Sequence, residues 1–183
     1  NEIDTNKNPF FFFFTSEKFY DITGKYTSPV FIYCKKVIED QYKLLSENLP
    51  PQFNIFYAQK SNPHPEILKL LNSLGAGCDT ASKGEVLSAL KAGFSEGKIM
   101  LTGPGKTKEE LELALNKNLY SVNIESLQEV ILLNHICLEK KKVQNILVRI
   151  NPVFEAGETN RIIGGMGVSK FGIDIDQIPD VIE

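Results

Sequence analysis

The sequence is poor in residues that bind metal or staple small folds: 183 residues hold only three cysteines, Cys34, Cys78 and Cys137, and two histidines, His64 and His135. Odd in number, widely spaced and without a Cys-x-x-Cys pair, the cysteines suggest neither a disulfide framework nor a zinc site, and two distant histidines do not make a metal cluster unaided. No metal is expected, and a reducing, cytoplasmic setting fits. Long apolar runs are also missing. The run Phe10 to Phe14 is far short of the about 20 residues of a membrane helix and of the roughly 7 to 15 of a signal core. It reads as an extended segment that needs a cover, since an exposed apolar strand is an aggregation hazard. The net charge of −3 leaves no basic field for nucleic acid, and Lys35-Lys36 and Lys140-Lys141-Lys142 read as solvated faces. Neither a nucleic-acid nor a membrane partner is expected. The first residue is Asn1 rather than Met, which suggests a start that is unseen or removed.

What is present is a repeat. With 42% hydrophobic and 23% charged residues the chain can build a core. Strand-like runs begin near Val30, Phe53, Gly77, Lys98, Leu119 and Asn145, mostly roughly 21 to 26 residues apart. Between them lie helical stripes: Leu68, Leu71 and Leu74; Val86, Leu87 and Leu90; Leu111, Leu113, Leu115 and Leu119; Val130, Leu133 and Ile136. Ser82-x-x-Glu85, Thr107-x-x-Glu110 and Ser126-x-x-Glu129 each match a capping box. Alternating strands and helices imply a parallel sheet, either an open doubly wound sheet or a barrel, and periodicity does not decide between them. An eight-unit barrel takes about 250 residues, so a barrel here would be cut short. Ile178 to Glu183, with Pro179 near its start, reads as the first turn of a further helix.

Lys60 follows Phe53, Ile55, Phe56 and Tyr57, which read as a strand buried on both faces, and it precedes Pro63 and Pro65. It therefore stands at a strand's C-terminal end, where barrel enzymes gather catalytic groups. On position alone a strand-end lysine more often snorkels to water. Asp79 follows the next strand, and could face the neighbourhood of Lys60 or cap a helix, although Ser82 already suits the cap. Arg149 interrupts the apolar run Ile146 to Ile150 and needs an anionic partner, for which Asp79 is a candidate. Gly103-Pro104-Gly105-Lys106-Thr107 ends like a phosphate loop but has Met100 where the first glycine belongs, so it reads as a tight loop at the active face. Gly164-Gly165-Met166-Gly167 misses the dinucleotide fingerprint in the same manner, its third glycine falling at Lys170. His64, between two prolines, reads as a solvent-facing turn residue.

Five segments in order carry a family resemblance: Phe56 to Asn62, Gly75 to Glu85, Thr102 to Lys106, Arg149 to Pro152, and Ser169 to Ile173. The chain resembles, from about Ser28 to Ile173, the fold-type III pyridoxal-phosphate decarboxylases of the ornithine, diaminopimelate and arginine group, with an alanine-racemase-like barrel. The resemblance implies an α/β fold, a partial (β/α)8 TIM-type barrel, with pyridoxal 5'-phosphate as cofactor. Lys60 would form the internal aldimine and be catalytic, Asp79 and Arg149 would line the cofactor site, and Lys170 would make a dimer contact near shared active sites of a homodimer. A neutral amine is the nucleophile, so burial and a nearby cation such as Arg149 are expected to favour loss of the Lys60 proton.

By the same resemblance, residues 1–27 would be an arm packing on a second, β domain, with Phe10 to Phe14 in its sheet, and 28–183 the N-terminal part of the barrel. The family's glycine-rich phosphate loop, its Glu-Pro-Gly-Arg segment and its second-domain cysteine motif are not in this sequence. A protein roughly twice as long is expected, with the isolated chain neither holding the cofactor tightly nor decarboxylating. The substrate is expected to be an amino acid, either diaminopimelate-like or a specialised, carrier-protein-linked one. Asn160 to Gly167 favours the latter slightly, since the diaminopimelate branch usually has a histidine and a Ser-Thr-Gly stretch there. A racemase on the same barrel and a non-catalytic pyridoxal-phosphate binder are the alternatives.

Overall fold

A computed structural model describes residues 16–27, 29–151 and 171–182, so Phe10 to Phe14, Gly164 to Gly167 and Lys170 lie outside the described residues. The chain divides into two compact units, 1–53 and 54–183.

In the first unit, helices α1 (Ser16–Lys25) and α2 (Lys35–Asn48) carry charge pairs one turn apart, Lys25–Asp21 at 2.7 Å and Lys35–Glu39 at 3.5 Å. The run from Val30 is a correction to the expected strand: residues 30–34 are irregular and lead into α2. A strand needs a paired neighbour, and no strand lies among this unit's described residues.

The second unit carries the repeat: β1 (Phe56–Ala58), a 3₁₀ turn at Gln59–Ser61, α3 (Pro65–Ser73), β2 (Gly77–Thr80), α4 (Lys83–Lys91), β3 (Ile99–Leu101), α5 (Lys108–Lys117), β4 (Ser121–Ile124), α6 (Leu127–Lys140) and β5 (Ile146–Val148). The five strands are parallel and stand in chain order. An open doubly wound sheet reverses its strand order part-way, and this one does not, as a barrel requires. Phe56 pairs with Gly77, Cys78 with Ile99 and Met100 with Ser121, each partner roughly 21 residues further on. At the N-terminal end, the Phe56 and Tyr120 rings meet with centroids 5.0 Å apart. A flat sheet would hold their strands about 14 Å apart, so the contact reflects a curled sheet.

Two expected strands differ in detail. β1 is only half-buried, since a single described strand pairs with it, and Phe53 lies before it and is exposed. The run from Ile146 divides at Arg149 into β5 and β6 (Ile150–Asn151), the latter parallel to β7 (Ile173–Asp174). Arg149 joins the two ladders, its N–H donating to the Ile124 carbonyl at 2.9 Å and its carbonyl accepting from Ile173 at 2.8 Å. The short helix α7 (Ile178–Ile182) has proline at its second residue, as expected. Among the described residues no helix is long and apolar enough to cross a membrane.

Strand alternation sorts the two faces of the sheet. Cys78, Ile99, Leu101, Val122 and Ile124 are buried against Leu68, Val86, Ala89, Leu111, Leu115, Leu133 and Ile136 of the helices. By register the opposite face holds Asp79, Met100, Ser121 and Asn123. One face is thus core, and the other is polar toward the strands' C-terminal ends.

Candidate active site

The turn that carries Lys60 is braced on every side. Gln59 is buried, and its Oε1 accepts from the Cys78 thiol at 3.4 Å. Ser61 Oγ donates to the Ala58 carbonyl at 2.6 Å, the Asn62 N–H donates to the Gln59 carbonyl at 3.1 Å, and the Tyr57 hydroxyl donates to the Asn62 carbonyl at 3.2 Å. Lys60 itself is exposed at the C-terminal end of β1. The burial expected to favour its neutral form is absent among the described residues, because the turn lifts the side chain clear of the core that Gln59 enters. His64 is also exposed, and its Nδ1 accepts from the Glu66 N–H at 3.2 Å, which makes it the N-cap of α3.

Asp79 ends a row of side chains that crosses three strands. Ser121 Oγ donates to Asn123 Oδ1 at 3.3 Å, Asn123 Nδ2 to Thr102 Oγ1 at 3.3 Å, and the Thr102 hydroxyl to Asp79 Oδ1. Asp79 therefore faces the polar side, and Ser82 caps α4 in its place. Beside Asp79 in β2, burial, followed by the charges of Asp79 and Glu85, pushes the Cys78 thiol up to about 12, so it stays protonated and non-nucleophilic.

The partner of Arg149 is Glu125 rather than the candidate Asp79. Arg149 Nη1 lies 3.2 Å from Glu125 Oε1 and 3.1 Å from Oε2, and the Glu125 side chain is only 1% exposed. Register explains the correction: Ile124 pairs with Val148, which sets Glu125 beside Arg149, whereas Asp79 is on a strand two further away. The Gly103 N–H also donates to Glu125 Oε1, at 3.0 Å. Phe171 places its ring 4.6 Å from the guanidinium carbon, a cation–π contact.

The loop after β3 bends through positive φ at Gly103 and Gly105, as the tight-loop reading requires. Lys106 is buried in an ion pair with Glu129, Nζ to Oε2 at 3.0 Å, so the lysine of the phosphate-loop-like run is committed inside the protein. Glu125 and Asn123 were not singled out in the sequence, Thr102 appeared only as the start of a resembling segment, and Glu129 only as a capping-box residue. Glu125 and Thr102 stand at the C-terminal ends of β4 and β3, the kind of position that drew attention to Lys60.

The arrangement of strands and helices is shared with known proteins. Residues 35–183 match the family described as pyridoxal-dependent decarboxylase, pyridoxal binding domain. The chain belongs to that family. It is 33% identical over 159 residues to diaminopimelate decarboxylase of Bacteroides thetaiotaomicron, covering 84% of this chain and 41% of that protein. It is 30% identical over 162 residues to the L-glutamyl-[BtrI acyl-carrier protein] decarboxylase of Niallia circulans, covering 88% and 38%. Diaminopimelate decarboxylase from Helicobacter pylori, solved with L-lysine, superposes with a TM-score of 0.82 at 30% identity over 89% of this chain and 42% of that one. The chain thus spans about two-fifths of these relatives. The partial barrel and pyridoxal phosphate follow from family membership. Both of these curated relatives are named as decarboxylases.

The residues suit the cofactor. A primary amine stands exposed at the end of β1, the non-core face of the sheet carries the Asp79 carboxylate, and a half-exposed Arg149 guanidinium follows β5.

Proposed function

We propose that the chain forms the cofactor-attaching part of a pyridoxal-phosphate-dependent amino-acid decarboxylase, with Lys60 as the attachment residue. The observation that carries this is the braced turn that presents an exposed lysine at the end of β1 in a pyridoxal-binding domain. Pyridoxal phosphate, when bound, supplies the electron sink for the pair of electrons left when carbon dioxide departs. Lys60 would hold the group through its Nζ, and the same nitrogen would carry a proton in the reaction. Asp79 and Arg149 line the cofactor side. The donated Thr102 hydroxyl keeps the Asp79 carboxylate on the polar face, and Glu125 fixes one guanidinium nitrogen while the remaining N–H groups make no bond to the described residues. The substrate is an amino acid, free and diaminopimelate-like or carrier-linked, since relatives of both kinds match at similar identity.

The proposal extends to a homodimer with shared active sites, a Lys170 contact between its subunits, an N-terminal arm over residues 1–27 packing on a second domain, and a cytoplasmic setting. The test uses the full-length protein incubated with pyridoxal phosphate and borohydride, followed by peptide mass mapping. The pyridoxyl mass is expected on Lys60 and absent from Lys60→Ala, together with carbon dioxide release from one member of an amino-acid panel including a carrier-linked glutamyl group. Labelling elsewhere, with Lys60 unmodified, would refute the assignment.

A further inference from the structure

Glu129 is a buried carboxylate that the proposed chemistry does not use. It begins as the third residue of a capping box, and its own N–H duly donates to Ser126 Oγ at 3.2 Å. Its carboxylate does not turn back to the cap residue, as the Glu110 carboxylate does to Thr107. Instead Oε1 accepts from the Lys106 N–H at 3.1 Å, while Oε2 accepts from the Glu125 N–H at 2.9 Å and from Lys106 Nζ at 3.0 Å. Lys106 Nζ continues to the Gly103 carbonyl at 2.6 Å. The side chains of Lys106 and Glu129 are 3% and 6% exposed. One carboxylate therefore ties the loop after β3 to the residue after β4.

The residue so tied is Glu125, and its carboxylate closes the circuit by accepting from Gly103 and from Arg149. Such a buried, fully bonded charge network has one low-energy arrangement, because each member lost leaves others unpaired in a poorly solvating interior. We infer that Glu129, held by Lys106, is a positioning residue that fixes the Arg149 guanidinium through Glu125. It touches neither substrate nor cofactor. Glutamine in its place has one acceptor oxygen for donors that now share two, so the loop and Glu125 come apart without loss of volume.

Only the cofactor readout of the test rests on the proposed function. In the cofactor-free full-length protein, hydrogen exchange of the Gly103, Lys106 and Glu125 amides is expected to proceed by a common opening event, and three unrelated opening rates would overturn the inference. In Glu129→Gln the Gly103 amide, which Glu129 does not touch, is expected to lose protection while the β3 amides keep theirs. Retained protection at Gly103 would also overturn it. Pyridoxal-phosphate affinity, followed by absorbance, is expected to fall by about tenfold, the scale on which outer-shell partners act. Glu125→Gln should match this, and the double variant should be no worse than either single one, whereas additive losses would refute action through Glu125. If the unaltered protein binds no pyridoxal phosphate, the proposed function fails while the exchange pattern still decides the role of Glu129.

Discussion

Gly77 is pressed between a ring and a carbonyl: a methyl group in place of its hydrogen would run into the Phe56 ring and come within 2.9 Å of the Lys98 carbonyl oxygen. Neither can yield cheaply, because the ring packs on Tyr120 and the carbonyl belongs to the backbone. Gly77→Ala is expected to destabilise the fold by about 1 to 3 kcal/mol, the usual cost of overpacking, as a lowered midpoint in urea at unchanged slope. At this scale the sequence was legible where chemistry and position coincide. Lys60 stood out as an amine at a strand's end, and Arg149 as a charge in an apolar run that had to find a partner. The identity of the partner was not legible, because Asp79 lies near the C-terminal end of β2 and Glu125 directly after β4, and only the register sets Glu125 beside Arg149.

The three Ser/Thr-x-x-Glu signals all mark true helix starts, with the hydroxyl accepting from the glutamate N–H in each. The carboxylates behave differently. Glu85 and Glu129 reach the N–H of the residue before the cap, Ala81 and Glu125, whereas Glu110 returns to Thr107 itself; Glu110 and Glu129 also accept from the Lys83 and Lys106 N–H groups at 3.0 and 3.1 Å. Local spacing announces a cap, yet the neighbouring loop one repeat earlier competes for the same oxygens, and nothing in a window of four residues records that competition. Thr107→Ala is expected to cost about 1 kcal/mol in thermal or urea unfolding.

Partial burial works to raise the Glu110 carboxyl, but the amides of Thr107 and Lys83 and the Thr107 hydroxyl outweigh it, so its folded value lies below the ordinary one. A carboxylate depressed on folding adds stability above its unfolded value and loses it as pH falls through the folded value. The stability difference between the unaltered protein and Glu110→Gln is therefore expected to be full near about pH 6 and to shrink toward about pH 3. A difference independent of pH would count against the lowered Glu110 carboxyl.

For the whole molecule, the alternation of strands and helices was readable from periodicity, whereas the choice of a barrel over an open sheet came only from the family resemblance, since both share the same local pattern. The distinction lies in strand order, a relation among distant segments. The run from Val30 misled for a similar reason: apolar residues allow a strand but cannot supply its neighbour. At the far side of the sheet, Ile146, Leu147 and Ile150 are each more than a third exposed. The 183-residue chain expressed alone is expected to self-associate in light scattering and to release no carbon dioxide when given pyridoxal phosphate and the substrate of the full-length protein. Full turnover by the isolated chain would contradict this.

The constant spacing between paired strands also bears on how the chain reaches this state. Each strand from β2 to β4 finds its partner one repeat back, so the loop to be closed is nearly the same short length at every step, and its entropic cost does not accumulate. The sheet can grow by addition as the polypeptide emerges from synthesis, with each new helix covering the apolar face just laid down, so that exposed strand edges are few at any moment.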